Sequence, residues 1–94
     1  MSVGATIWER RPRTLRKRQL GKSIIYCERY WSGSEWRYYV EASGPDYRIW
    51  KRVPRNEERA LELYSTYCFW VWLIEACNSM TVTRLLTWIM HRIL

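Results

Sequence analysis

The sequence predicts an α+β domain: a three-stranded antiparallel β-meander followed by two C-terminal helices, behind a flexible basic N-terminal arm. Three observations lead there. Between residues 24 and 53, β-branched and aromatic residues alternate with polar ones, interrupted twice by clusters of Ser, Gly, Pro and Asp. From residue 57 onward, long apolar stretches follow capping residues, and toward the C-terminus the apolar residues recur at three and four. The first 22 residues hold +6 of the formal net charge of +7. A chain of 94 residues is one domain, here residues 23–94 behind an arm at 1–22, with room for a single core.

The arm carries Arg10, Arg11, Arg13, Arg16, Lys17, Arg18 and Lys22 against Glu9 alone. Pro12 interrupts any helix through the early arginines, and Gly21 marks a turn into the strand region. A short helix over residues 14–20, formed on contact with a partner, is the most order expected there. Arg far outnumbers Lys in the whole chain, which suits bidentate contact with phosphates or carboxylates. Such an arm serves nucleic acid or an acidic protein surface.

Strands are expected at 24–31, 35–42 and 47–53, joined by turns at Ser32-Gly33-Ser34 and Ser43-Gly44-Pro45-Asp46 and stopped by Pro54. Parity separates the faces. Trp36, Tyr38, Val40 and Ala42 share the inner face of the middle strand, and Tyr47, Ile49 and Val53 that of the third. In the first strand Ile24, Tyr26 and Tyr30 compete with Ile25, Cys27 and Trp31 for the core. Arg29, Trp31, Arg37, Tyr39, Arg48, Trp50 and Arg52 could lie together on the outer face, cations interleaved with rings. Rings that stack on bases and guanidinium groups that meet phosphates make a single-strand platform. The same residue types dominate protein hot spots, and rings that merely cover arginine stems are the plainer alternative.

Asn56 is placed to cap a helix over about 57–77, with Glu57 and Glu58 complementing its positive end. Its run Tyr67-Cys68-Phe69-Trp70-Val71-Trp72-Leu73-Ile74 is apolar around the whole cylinder, so the rest of the chain or a partner must cover it. Ser79 or Thr81 caps a last helix over about 82–93. There Val82, Leu85, Leu86, Ile89, Met90, Ile93 and Leu94 form one stripe, and Trp88 lies on its polar side as an expected contact residue.

Catalysis finds little footing. His91 is the single histidine, on the outer side of the last helix, and Cys27, Cys68 and Cys77 would have to reach it through the fold. Three scattered cysteines lack zinc-site spacing, and Gly-rich phosphate loops are absent, so no cofactor is expected. Asp46 is the single Asp. Glu28, Glu35 and Glu41 alternate with Arg29 and Arg37 and are expected in cross-strand ion pairs. Cys68 and Cys77 stand about 13 Å apart along a helix and cannot bridge, which points to a reducing, cytoplasmic setting. The apolar run ends at Glu75, far short of the roughly 18 residues that span a bilayer. A membrane-surface role is poorly served by a last helix with Arg84 and Arg92 as its only cations. Gly44-Pro45, at a loop tip, fits the groove of a prolyl isomerase, which would be a secondary partner; an ordinary turn proline is the plainer reading.

The basic head from Arg10 to Lys22, the aromatic strand region between Tyr26 and Trp50, and the Trp-rich tail between Phe69 and Trp88 together resemble the small anti-RecBCD proteins of lambdoid phages. The likeness is of whole-chain character, with no motif that transfers site residues. It implies a non-enzymatic modulator that binds the host exonuclease-helicase through its RecC subunit, protecting phage DNA and favouring recombination. Direct binding of single-stranded DNA or RNA is the alternative.

Overall fold

The computed structural model describes residues 13–94 apart from 78 and 93, so Arg10 and Arg11 lie outside the described residues. Four strands follow one another, β1 (Arg13–Leu20), β2 (Ser23–Trp31), β3 (Trp36–Gly44) and β4 (Tyr47–Pro54), and then two helices, α1 (Glu57–Cys77) and α2 (Met80–Arg92). Each strand pairs antiparallel with the next in one sheet. The α+β class stands, but the meander has four strands where the sequence pattern indicates three.

The additional strand is β1, which takes the place of the expected short helix and of the free arm from Arg13 onward. Gly21 and Lys22 form a two-residue turn that sets Leu20 opposite Ser23. Gly21 has φ +58 while Lys22 has no positive φ. That combination belongs to the II′ hairpin turn, whose twist matches the paired strands. Strand pairing uses backbone groups, so an arginine-rich segment with few apolar residues can adopt it. A bulge at Leu15 also breaks the alternation, since Thr14 pairs with Glu28 and Arg16 with Cys27. Leu15 and Leu20 pack against the core. A charged outer strand also discourages pairing with other sheets.

The loop after β2 decides which side of that strand is buried. Ser32 donates its N–H and its hydroxyl to the Glu35 carbonyl at 3.0 and 3.1 Å, and Trp31 falls opposite Trp36. Ile25 therefore sits opposite Ala42 and Cys27 opposite Val40, all four fully buried. Pro45 and Asp46 alone turn the chain into β4, so Ser43 and Gly44 belong to β3.

Asn56 caps α1 as expected, accepting the Arg59 N–H on Oδ1 at 2.9 Å. The residue before it, Arg55, is held at φ 60 and pairs with Glu35 at 2.5 Å, and Arg37 reaches the same carboxylate at 3.3 Å. Ser79 rather than Thr81 caps α2, accepting the Val82 N–H at 3.4 Å, which moves the start of that helix back to Met80.

Both helices lie on one side of the sheet: α1 crosses β1, β2 and β3, while α2 packs on α1 and β4. Between the layers sit Ile25, Cys27, Tyr38, Val40, Ala42, Ile49 and Val53 from the sheet, Ala60, Tyr67, Cys68, Val71 and Ile74 from α1, and Met90 from α2. The apolar run of α1 is thus covered on one side only, leaving Phe69 and Trp72 exposed; on α2, Leu85 of the predicted stripe is exposed as well. Near the two hairpin tips, Tyr47 donates to Ser23 Oγ at 2.7 Å and Ser23 to Glu75 Oε1 at 2.5 Å, tying both hairpins to the end of α1. No helix among the described residues is long and apolar enough to cross a membrane.

Candidate functional site

With both helices on one side, no element among the described residues covers the other face of the sheet, the bare face below. Residues directly opposite one another share a face, so the register assigns its members. One rung runs Lys17, Tyr26, Glu41, Trp50; the next Thr14, Glu28, Tyr39, Arg52; another Gln19, Ile24, Ser43, Arg48; and the last Tyr30, Arg37, Pro54. Four rings, Tyr26, Tyr30, Tyr39 and Trp50, thereby meet four cations and two carboxylates.

Tyr39 is the centre of this face. Its ring meets those of Tyr26 and Tyr30 edge-on, with centroids 5.9 and 6.0 Å away, and its hydroxyl donates to Glu28. Burial and then the bond to Glu28 push its phenol pKa well up. Burial and the nearby Glu41 carboxylate likewise raise Tyr26. Both phenols stay neutral hydrogen-bond donors across the physiological range.

Glu41 is almost wholly buried, which an unpaired carboxylate would not tolerate. Arg48 donates to its Oε1 from Nε at 3.1 Å and from Nη2 at 2.9 Å. Trp50 is half exposed, and the Arg52 guanidinium lies 5.4 Å from its ring centre. Tyr30, Tyr39, Glu41, Arg48, Trp50 and Arg52 line a shallow cavity of about 330 Å³. A planar or cationic group entering it would meet the Trp50 ring.

Of the residues singled out from sequence, Arg37, Tyr39, Arg48, Trp50 and Arg52 are together on this face. Trp31 is not. With Arg29 it lies on the helix side of the sheet, Trp31 edge-on to Trp36 at 5.2 Å and Arg29 4.1 Å over the Trp36 ring. The cause is the Trp31–Trp36 register, which sends odd residues of β2 toward the helices. The expected ion pairs change accordingly: Glu28 takes Tyr39, Glu35 takes Arg37 and Arg55, and Glu41 takes Arg48.

Of the cations expected on a free arm, Arg13, Arg16, Lys17 and Arg18 lie along β1. Lys17 faces the bare side, while Arg13, Arg16 and Arg18 share rungs with Arg29, Cys27 and Ile25 on the helix side. Lys22 is in the hairpin turn, near Pro45, Asp46 and Glu75. Trp88 is exposed on α2, as expected, beside a groove lined by Tyr47, Arg48, Arg84 and His91.

Sequence reasoning missed Tyr26 and Tyr30. The signal was the four-residue spacing between Trp31 and Trp36: a tight loop there makes those two residues partners and places Tyr26 opposite Glu41.

Cys27 and Cys68 are buried, and burial raises both thiols, Cys27 to about 11, so neither is a thiolate at neutral pH. Among the described residues, no three His, Cys, Asp or Glu side chains cluster so as to hold a metal ion. The chain matches no protein-family model, no curated protein and no solved structure.

Proposed function

We propose that this protein is a non-enzymatic accessory protein that binds a nucleic-acid-processing machine and inhibits or redirects it. A RecBCD-type exonuclease-helicase of a phage host is the partner class implied by its whole-chain resemblance. The supporting observation is the bare sheet face, where Trp50, Tyr30 and Tyr39 meet Arg37, Arg48 and Arg52, the residue types that dominate protein hot spots. The state of its charges favours a protein partner over a bare polyanion. Arg48 is committed to Glu41 and Arg37 to Glu35, so fewer cations are free to displace counterions from phosphates than the composition suggests.

A second reading, direct binding of single-stranded DNA or RNA, is favoured by a different observation. Trp50 is half exposed beside Arg52, and Lys17 stands on the same face, so a base can stack where phosphates are met.

Affinity purification from the native host tests the proposal: a nuclease or helicase subunit in stoichiometric amount is expected, and its loss on Trp50→Ala and Arg52→Ala at unchanged melting temperature. Recovery of nucleic acid alone would replace it with the second reading. Salt separates the two as well. Binding through six or more phosphate contacts weakens about a thousandfold or more between 50 and 200 mM salt, whereas a hot-spot contact largely persists.

A further inference from the structure

Among the described residues the helical layer has five large apolar side chains each more than half exposed: Phe69 and Trp72 on α1, and on α2 Leu85, Met80 near the hairpin tips and Trp88 beside β4. In α1, Phe69 is set about opposite the stripe of Ala60, Tyr67, Val71 and Ile74 that meets the sheet. Half-exposed rings and Leu together offer roughly 400 Å² of apolar surface, about half of the ~800 Å² that each partner contributes to a stable interface. A patch of that size falls within the ~300–600 Å² of the largest apolar patch on a typical monomer, a class that is often functional.

Charge is arranged to suit one occupant. The helices run antiparallel: Leu94, just beyond α2, lies with Asn56, Arg59 and Glu62, while Met80 and Thr83 lie with Ile74 and Glu75. At the end where α1 begins and α2 finishes, α1 carries Glu57, Glu58 and Glu62 and α2 carries His91 and Arg92. Phe69, Trp72 and Leu85 lie nearer the opposite end, where Thr81 and Arg84 are exposed as well.

We infer that a second copy of this chain covers this face, the two copies related by a two-fold axis parallel to the helices. That rotation lays α1 of one copy over α2 of the other without exchanging their ends. Phe69 then meets Leu85 of the partner, and Glu58 and Glu62 meet its Arg92, so every contact occurs twice and apolar meets apolar while acid meets base. The strands carry most of the positive charge. In this arrangement the two sheets are outermost of four layers, about 30 Å apart across three interlayer spacings of about 10 Å each, against a Debye length of about 8 Å at physiological salt. Repulsion between the cationic sheets is therefore screened. Both bare sheet faces remain open and point in opposite directions, which makes the assembly bivalent. The inference does not depend on what those faces bind.

Light scattering and sedimentation of the full chain, from low micromolar to several hundred micromolar, test it. The expected mass is twice the 11.6 kDa of one chain, falling to one chain in Phe69→Glu and in Leu85→Glu, with circular dichroism unchanged because both side chains are exposed. Glu62→Arg and Arg92→Glu should each weaken the dimer at least tenfold, and the two together should restore it. A chain that stays monomeric throughout overturns the inference, even one that captures a different protein through the same residues. So does a dimer indifferent to Phe69→Glu and Leu85→Glu.

Discussion

Among the described residues Tyr67 is the largest fully buried side chain, and its hydroxyl has no hydrogen-bond partner there. An unsatisfied buried hydroxyl costs about 1–3 kcal/mol of desolvation, so Tyr67→Phe, which keeps the ring, is expected to leave stability unchanged or raise it by about 1 kcal/mol, measured by urea unfolding. The same residue contributes a pH dependence. Burial raises its phenol from 10.0 to about 12, so between those values the unfolded chain releases a proton that the folded chain retains. The unfolded state then binds fewer protons, and stability, undiminished below pH 10, falls as pH rises toward 12. Unfolding followed at pH 9 through 12 should show that decline, and Tyr67→Phe should make it shallower. Neither effect is legible in the sequence. A Tyr within an apolar run reads as a ring with a wet tip, and only the packing of α1 on the sheet reveals a dry one.

Local elements show where sequence chemistry is sufficient. Asn56 before Glu57 and Glu58 announces the start of α1, and the cap forms as its residue type dictates. Asn56→Ala is expected to lower stability by about 1 kcal/mol in thermal or urea unfolding. The first hairpin is a different case. Gly21 occupies φ +58, and a Cβ there would collide with the Glu75 carboxylate that accepts the Ser23 hydroxyl. Gly21→Ala should therefore destabilise by about 1–3 kcal/mol, combining left-handed strain with disturbance of that contact. The glycine is visible as a turn residue, but its contact with Glu75, more than fifty positions away, belongs to the fold.

In the whole molecule, the described part of the segment whose composition suggests a detachable arm forms one edge of the sheet, β1. Deleting residues 1–22 removes β1, leaves the ladder edge of β2 unpaired and uncovers part of the core under Leu15 and Leu20. The melting temperature should fall by well over the ~4–8 °C that 1 kcal/mol is worth in a domain of this size, and the shortened chain should aggregate through its exposed strand. A midpoint unchanged by the deletion would mean that β1 contributes nothing to the fold. The candidate site divides in the same way. Arg37, Tyr39, Arg48, Trp50 and Arg52 share a face because strand parity places them there, and parity is readable in β3 and β4. Tyr26, Tyr30 and Trp31 depended on the register of β2 with β3, because parity left the two sides of that strand in competition for the core; Trp31, grouped with the outer face, lies on the helix side.

By itself the sequence determined the α+β class, the strands from Ser23 onward, the extent and cap of α1, and the interleaving of rings with cations on β3 and β4. These rest on short-range physics: side-chain alternation, turn chemistry and the orphan amides of a helix end. Tertiary structure decided that β1 is a strand, which face β2 buries, that Glu41 is buried against Arg48, and which side of the apolar helix is left uncovered. Each of those depends on what a segment finds beside it, which alternation and capping do not record; the one local mark is the spacing of Trp31 and Trp36, which bears on the pairing of β2.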